Sequence, residues 1–143
     1  MMASGGETSI RAPDPEIELE FGLPDLGRIR NLVRGAALDA GFPGEKADEL
    51  VLAVNEVTTN AVVHGRPPAV LRVWTSPEEA FCEVSDAGPG IDDMRAGRVL
   101  PSPKSIGGRG LYLARVLADA VEIRSNGKSV VSLHMAAEPG SGV

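Results

Sequence analysis

Apolar positions along this chain keep two rhythms. Ile17, Leu19 and Phe21 alternate with polar neighbours between Glu16 and Phe21, which predicts a first strand. From Pro24 the interval lengthens. Leu26, Ile29, Leu32, Val33, Ala36, Ala37 and Ala40 recur every three or four residues and predict a helix that stops at Gly41, a residue suited to a left-handed cap. Pro43 suits the first turn of a second helix, which runs to His64 and carries the stripe Leu50, Ala53, Val54, Val57 and Ala61. Gly65 caps it, and Pro67-Pro68 prevents its continuation.

Alternation returns in Val70 to Thr75 and Ala80 to Ser85, and the intervening Ser-Pro-Glu-Glu is short enough for a hairpin. From Asp86 to about Gly107 the periodicity lapses into a glycine- and proline-rich gap, with one weak helical turn near Asp92 to Leu100. Loops of that length tend to be lids or binding loops. A helix resumes over Gly110 to Ala118 through Leu111, Ala114, Val116 and Leu117. Two last strands, Ala120 to Arg124 and Ser129 to Met135, flank Asn126-Gly127, a strong hairpin signal. The order β-α-α-β-β-(loop)-α-β-β predicts an α+β two-layer sandwich, a mixed, mostly antiparallel sheet with helices on one face. Residues 16–136 are expected to form a single domain between a disordered tail (1–15) and a frayed end (137–143).

Composition narrows the class. Hydrophobic residues make up 43% and charged residues 24%, ordinary globular values, but only 3% are aromatic, so the core must be built of Val, Leu and Ala. A net charge of −6 argues against a general nucleic-acid binder, which needs a basic face. Cys82 is the lone cysteine and cannot form an internal disulfide; its strand position makes it a core residue. No apolar run approaches the roughly 18 residues of a membrane span, and the first residues lack the basic start and apolar block of a signal peptide. The expectation is a soluble, cytoplasmic protein. Trp74 is read as packing or interface, His64 as a cap, and His134 as facing solvent or a partner.

Three clusters could carry chemistry. Glu56 and Asn60 lie one turn apart on the flank of the second helix, although an acid and an amide suit an apolar helix poorly unless they find partners. Asp86 shares strand parity with Cys82 and Val84, so its carboxylate points inward at a strand end and wants a donor; Gly88 and Gly90 follow it and hinge the loop. The run Gly107-Gly108-Arg109-Gly110-Leu111 leads straight into a helix, a natural phosphate seat. It does not satisfy the dinucleotide fingerprint, since Leu113 stands where a third glycine belongs. Taken singly, each cluster also has an ordinary reading as a turn, a cap or a solvated face.

Together, N-E-V-T-T-N-A-V-V-H-G, D-A-G-P-G and G-R-G-L resemble the N box and the two glycine boxes of the GHKL ATPase superfamily. The compact size and the E-x-x-x-N-A-x-x-H-G form are most similar to the anti-sigma factor serine kinases of the RsbW and SpoIIAB type, over roughly residues 16–135. The resemblance implies the histidine-kinase-like ATPase fold and a bound Mg-ATP, with Asn60 holding Mg2+ and Asp86 accepting from the adenine amino group. It further implies that Gly88 and Gly90 let a lid fold over the nucleotide. Gly108, Arg109, Gly110 and Leu111 would form the phosphate-binding run, and Glu56 would take the proton from an attacking serine hydroxyl. The implied partners are a sigma factor, an anti-anti-sigma antagonist of the STAS type and a second copy of the chain, with no direct contact to nucleic acid or membrane. Family kinases often carry a basic lid residue where this chain has Ile106, Lys104 and Arg109 being the nearest cations. That departure motivates an alternative, a nucleotide-gated partner-binding module without phosphotransfer.

Overall fold

A computed structural model describes residues 14–88, 111–125 and 127–137. Residues 1–13 of the expected tail, the gap from Pro89 to Gly110, Asn126 and the last residues from 138 onward lie outside the described residues.

Strand β1 (Ile17–Phe21) leads through a short 3-10 turn, Leu23–Asp25, into helix α1 (Leu26–Asp39). The helix buries Leu26, Ile29, Val33 and Ala37 of the predicted stripe, while Leu32, Ala36 and Ala40 are partly buried. Its end explains Gly41. The Gly41 N–H donates to the Leu38 carbonyl and the Phe42 N–H to the Ala37 carbonyl, each at 3.0 Å. This double closure needs a left-handed residue, and Gly41 has φ +101°. Phe42, 3% exposed, then packs into the core.

Helix α2 (Gly44–His64) starts one residue later than the sequence suggests, with Pro43 as its N-cap. Leu50, Ala53, Val54, Val57 and Ala61 are all buried. Strands β2 (Ala69–Ser76) and β3 (Glu79–Asp86) form a hairpin across Pro77 and Glu78, the latter at φ +63°. Each arm is longer than the alternating pattern predicted, and β3 extends to include Asp86 itself. Helix α3 (Leu111–Leu117) and the hairpin of β4 (Ala120–Ser125) with β5 (Ser129–Ala136) complete the chain, and Gly127 turns that hairpin at φ +80°.

The sheet runs β1-β2-β3-β5-β4, and every pairing among the described residues is antiparallel. The expected mixed sheet is thus antiparallel throughout the described part. Helices α1, α2 and α3 cover one face, and the core between the layers holds Ile29, Leu50, Leu71, Leu111 and Met135, each at most 1% exposed. Burying side chains of that size contributes about 1.5–3 kcal/mol apiece, so the low aromatic content is no obstacle to a stable core. Cys82 is 2% exposed and lies in this core, as its parity predicts.

The other face of the sheet carries no helix among the described residues. Across it runs a charged ladder: Arg72 donates from Nε to Glu18 Oε2 (2.8 Å) and from Nη1 to Glu83 Oε1 (3.4 Å), and Arg124 Nη2 donates to Glu83 Oε2 (3.2 Å). Beside the ladder Phe81, 42% exposed, stacks on His134 with ring centroids 4.4 Å apart. His134 therefore faces outward as its parity predicts, half-covered by an aromatic neighbour.

Candidate functional site

Helix α2 supplies two of the three side chains singled out by the sequence. Its flank reads Leu52, Glu56, Asn60, each one turn beyond the last, and exposure falls along that row. Leu52 is 43% exposed, Glu56 is half-buried and Asn60 is 4% exposed. The row therefore runs from solvent into the interior as the helix approaches its C-terminus. Partial burial removes water from the Glu56 carboxylate and raises its pKa above the ordinary 4.5.

Asn60 is the anomaly of the interior. Its Oδ1 is buried and has no hydrogen-bond partner. Thr58, two residues earlier and fully buried, shows the contrast: its hydroxyl donates to the Val54 carbonyl at 2.9 Å and is satisfied within the helix. Leaving a buried acceptor unpaired costs about 1–3 kcal/mol, a cost that an incoming ligand can remove. A carboxamide oxygen is a hard donor of the kind Mg2+ accepts. No group of three or more His, Cys, Asp or Glu among the described residues could cage a metal. A divalent ion at Asn60 would therefore draw most of its ligands from phosphate and water, the usual habit of Mg2+. The donor set fits that ion.

Asp86 closes β3 with its side chain 4% exposed. Its Oδ1 accepts from the backbone N–H of Gly88 at 2.7 Å and of Arg66 at 3.3 Å. Among the described residues no cation pairs with it, so backbone dipoles alone hold the buried carboxylate. The strand register brings it there. Val70 pairs with Ser85, so the residue after Ser85 returns to the segment that joins α2 to β2. The Ala87 N–H donates to the Arg66 carbonyl at 2.8 Å and ties the two segments together.

Gly65 was read from the sequence as a helix cap, and it does accept that role: its N–H donates to the Ala61 carbonyl at 3.0 Å. It also lies directly against the Asp86 carboxylate, a contact between residues 21 apart that composition and periodicity do not reveal. The signal available in the sequence was the hairpin count, which returns Asp86 to the end of α2.

Of the other predicted site residues, Gly88 is described and donates to Asp86 as above. Leu111 is fully buried at the start of α3, so its side chain packs in the core and only its backbone is left for a ligand. Gly90, Gly108, Arg109 and Gly110 lie outside the described residues, as do Lys104 and Ile106. Among the described residues no helix is long and apolar enough to cross a membrane.

Known proteins resemble this chain in sequence and fold. The family model of the histidine kinase-like ATPase domain matches residues 22–135. The serine-protein kinase RsbW of Bacillus licheniformis is 30% identical over 121 residues, and that of Bacillus velezensis 29% over 121; each match covers 76% of this chain and 76% of the relative. Among solved structures, the RsbU and RsbW domains of Rv1364c from Mycobacterium tuberculosis superpose with a TM-score of 0.61 at 18% identity. That match covers 88% of this chain and 33% of the larger one. A blue-light activated histidine kinase from Erythrobacter litoralis gives 0.54 at 22%, over 82% of this chain and 42% of that one. At these identities the solved structures speak for the fold.

Proposed function

The chain belongs to the histidine kinase-like ATPase family, and from that premise we propose that it is an ATP-dependent serine/threonine protein kinase that also acts as an anti-sigma factor. The observation that carries the reading is the orphaned Oδ1 of Asn60, buried on the same helix that carries Glu56 and ends against Asp86. In this assignment Asp86 accepts from the adenine amino group, and the N–H bonds from Arg66 and Gly88 keep its carboxylate aimed. Asn60 would hold the Mg2+ ion that accompanies the nucleotide. When bound, Mg2+ neutralises phosphate charge and orients the transferable phosphoryl group. Glu56, one turn from Asn60, takes the proton of an acceptor serine hydroxyl, and its raised pKa brings its basicity closer to what such a transfer needs. Gly90, Gly108, Arg109 and Gly110 complete the lid and phosphate seat in the proposal. The relatives named as serine-protein kinases support serine as the acceptor; its bearer in this proposal is an anti-anti-sigma protein of the STAS type, which the family resemblance implies. Sequestration of a sigma factor, pairing of two copies of the chain and a cytoplasmic location follow from the same likeness.

The test is transfer of label from γ-labelled ATP, with magnesium, to STAS-type proteins of the same organism. Label on a serine of one of them, lost in Glu56→Gln, is the expected outcome. ATP binding by calorimetry with no transfer to any of them would instead favour the nucleotide-gated binding module, the reading that Ile106 motivates.

A further inference from the structure

Gly65 ends helix α2 with φ −93° and ψ −161°, an extended conformation open to any residue. What requires glycine there is space. A Cβ at position 65 would stand 2.4 Å from Cγ of Asp86 and 2.5 Å from each of its carboxylate oxygens. The atoms it would meet belong to a short, buried side chain fixed by two backbone N–H groups, with no long flexible stem to swing aside. A second glycine completes the cradle, since a Cβ at Gly88 would lie 2.8 Å from Asp86 Oδ1. The bond from the Gly65 N–H to Ala61 makes residue 65 part of the body that carries Asn60 and Glu56.

We propose that Gly65 is a positioning residue for base recognition: the side chain it lacks is the room in which the Asp86 carboxylate is seated against the end of α2. The site then has one rigid piece that fixes two distances at once, from the base-reading acid to the metal-facing amide and to the acidic Glu56. This role rests on the assignment of Asp86 to adenine under Proposed function. A side chain at 65 pushes the carboxylate off its seat and weakens the preference for adenine over guanine, which has no amino group at the same position to offer.

The experiment is a double-mutant cycle on the full chain, with Gly65→Ala, Asp86→Ala and both together. The readouts are thermal midpoints without nucleotide and calorimetric affinities for Mg-ATP and Mg-GTP. Gly65→Ala is expected to lower the affinity for ATP roughly tenfold or more, the loss of one well-placed hydrogen bond, and to bring the ATP to GTP ratio towards that of Asp86→Ala. In the Asp86→Ala background the same substitution is expected to change neither midpoint nor affinity further. Should Gly65→Ala alone fail to fold, the double variant is expected to fold because the crowding is relieved. A wild-type ATP to GTP ratio in Gly65→Ala would overturn the proposal. So would an equal loss of midpoint in both backgrounds, or a double variant that also fails to fold. Wild-type chain that binds neither nucleotide overturns the adenine assignment and the positioning role with it, while the midpoints still decide whether Gly65 and Asp86 compete for one space.

Discussion

The two faces of the sheet treat polar residues in opposite ways. On the open face Glu18, Arg72, Glu83 and Arg124 pair with one another, partly exposed, each satisfied by a neighbour across the strands. On the helix-covered face polar groups are few, and two of them stand out. Asp86 is held by backbone N–H groups without a counter-ion among the described residues, and Asn60 Oδ1 has no partner at all. The open-face ladder is closed upon itself and asks for nothing. The covered face keeps unfinished chemistry in its interior, and stability alone gives no reason to retain it. The open face also holds one buried nitrogen without a hydrogen bond, His134 Nε2, but it stands 3.7 Å from Glu79 Oε2, whereas Asn60 Oδ1 has no charged or polar group paired with it.

That contrast can be pressed from its strongest consequence to its weakest. Glu56→Gln is expected to reduce phosphotransfer by about 10²–10⁴-fold while leaving the affinity for ATP within about threefold, measured by label transfer and calorimetry. A loss of ATP affinity equal to the loss of rate would remove Glu56 from the role of base. Leu71→Ala, in the core that supports both faces, is expected to cost about 2–5 kcal/mol in denaturant unfolding. Asp86→Asn is expected to weaken ATP binding by roughly 10–100-fold with a much smaller effect on stability. On the open face Arg72→Ala is expected to cost at most about 1 kcal/mol, because its ion pairs are partly exposed, and to leave ATP affinity unchanged. If Arg72→Ala disturbs nucleotide binding as much as Asp86→Asn does, the division between the faces fails.

The smallest effects concern pH. Burial raises the Glu56 pKa, so the native state disfavours the ionised carboxylate. Its contribution to stability is present below the ordinary value and lost as pH rises through the raised one. Glu56→Gln is therefore expected to have a higher thermal midpoint than wild type at neutral pH, with the two converging in acid, and the rate profile of wild type should gain its basic form at a pH above 4.5. Burial likewise pushes the Cys82 thiol up to about 12. Native protein at pH 8 should resist alkylation that the unfolded chain undergoes readily.

Much of the fold was legible because the apolar rhythm is clean. The stripe of α2 and the parity of Cys82, Val84 and Asp86 follow from periods of 3.6 and 2, which the packing leaves intact. The site was legible in part. Periodicity places Glu56 and Asn60 on one flank, but it does not say that the interior meets Asn60 without a donor, since that depends on every neighbour at once. Leu111 shows how one residue can have two readings. Its place in a glycine run suggested ligand contact, while its side chain answers to the core. Gly65 was hidden because a steric void between two segments belongs to neither of them, and it exists only when strand register and helix end coincide.

The hairpin of β2 and β3 has an implication for how such a chain can change over generations. Its two arms act as a ruler, with the tight bend at Pro77 and Glu78 as its zero mark and Asp86 at the far graduation. One residue added to the second arm alone would turn the acid to the wrong side of the sheet. Two added to the second arm alone would restore the side but carry it about 7 Å beyond the helix end. Growth of this protein is thus far freer elsewhere than within a single arm of that hairpin, whose fourteen paired positions set the register.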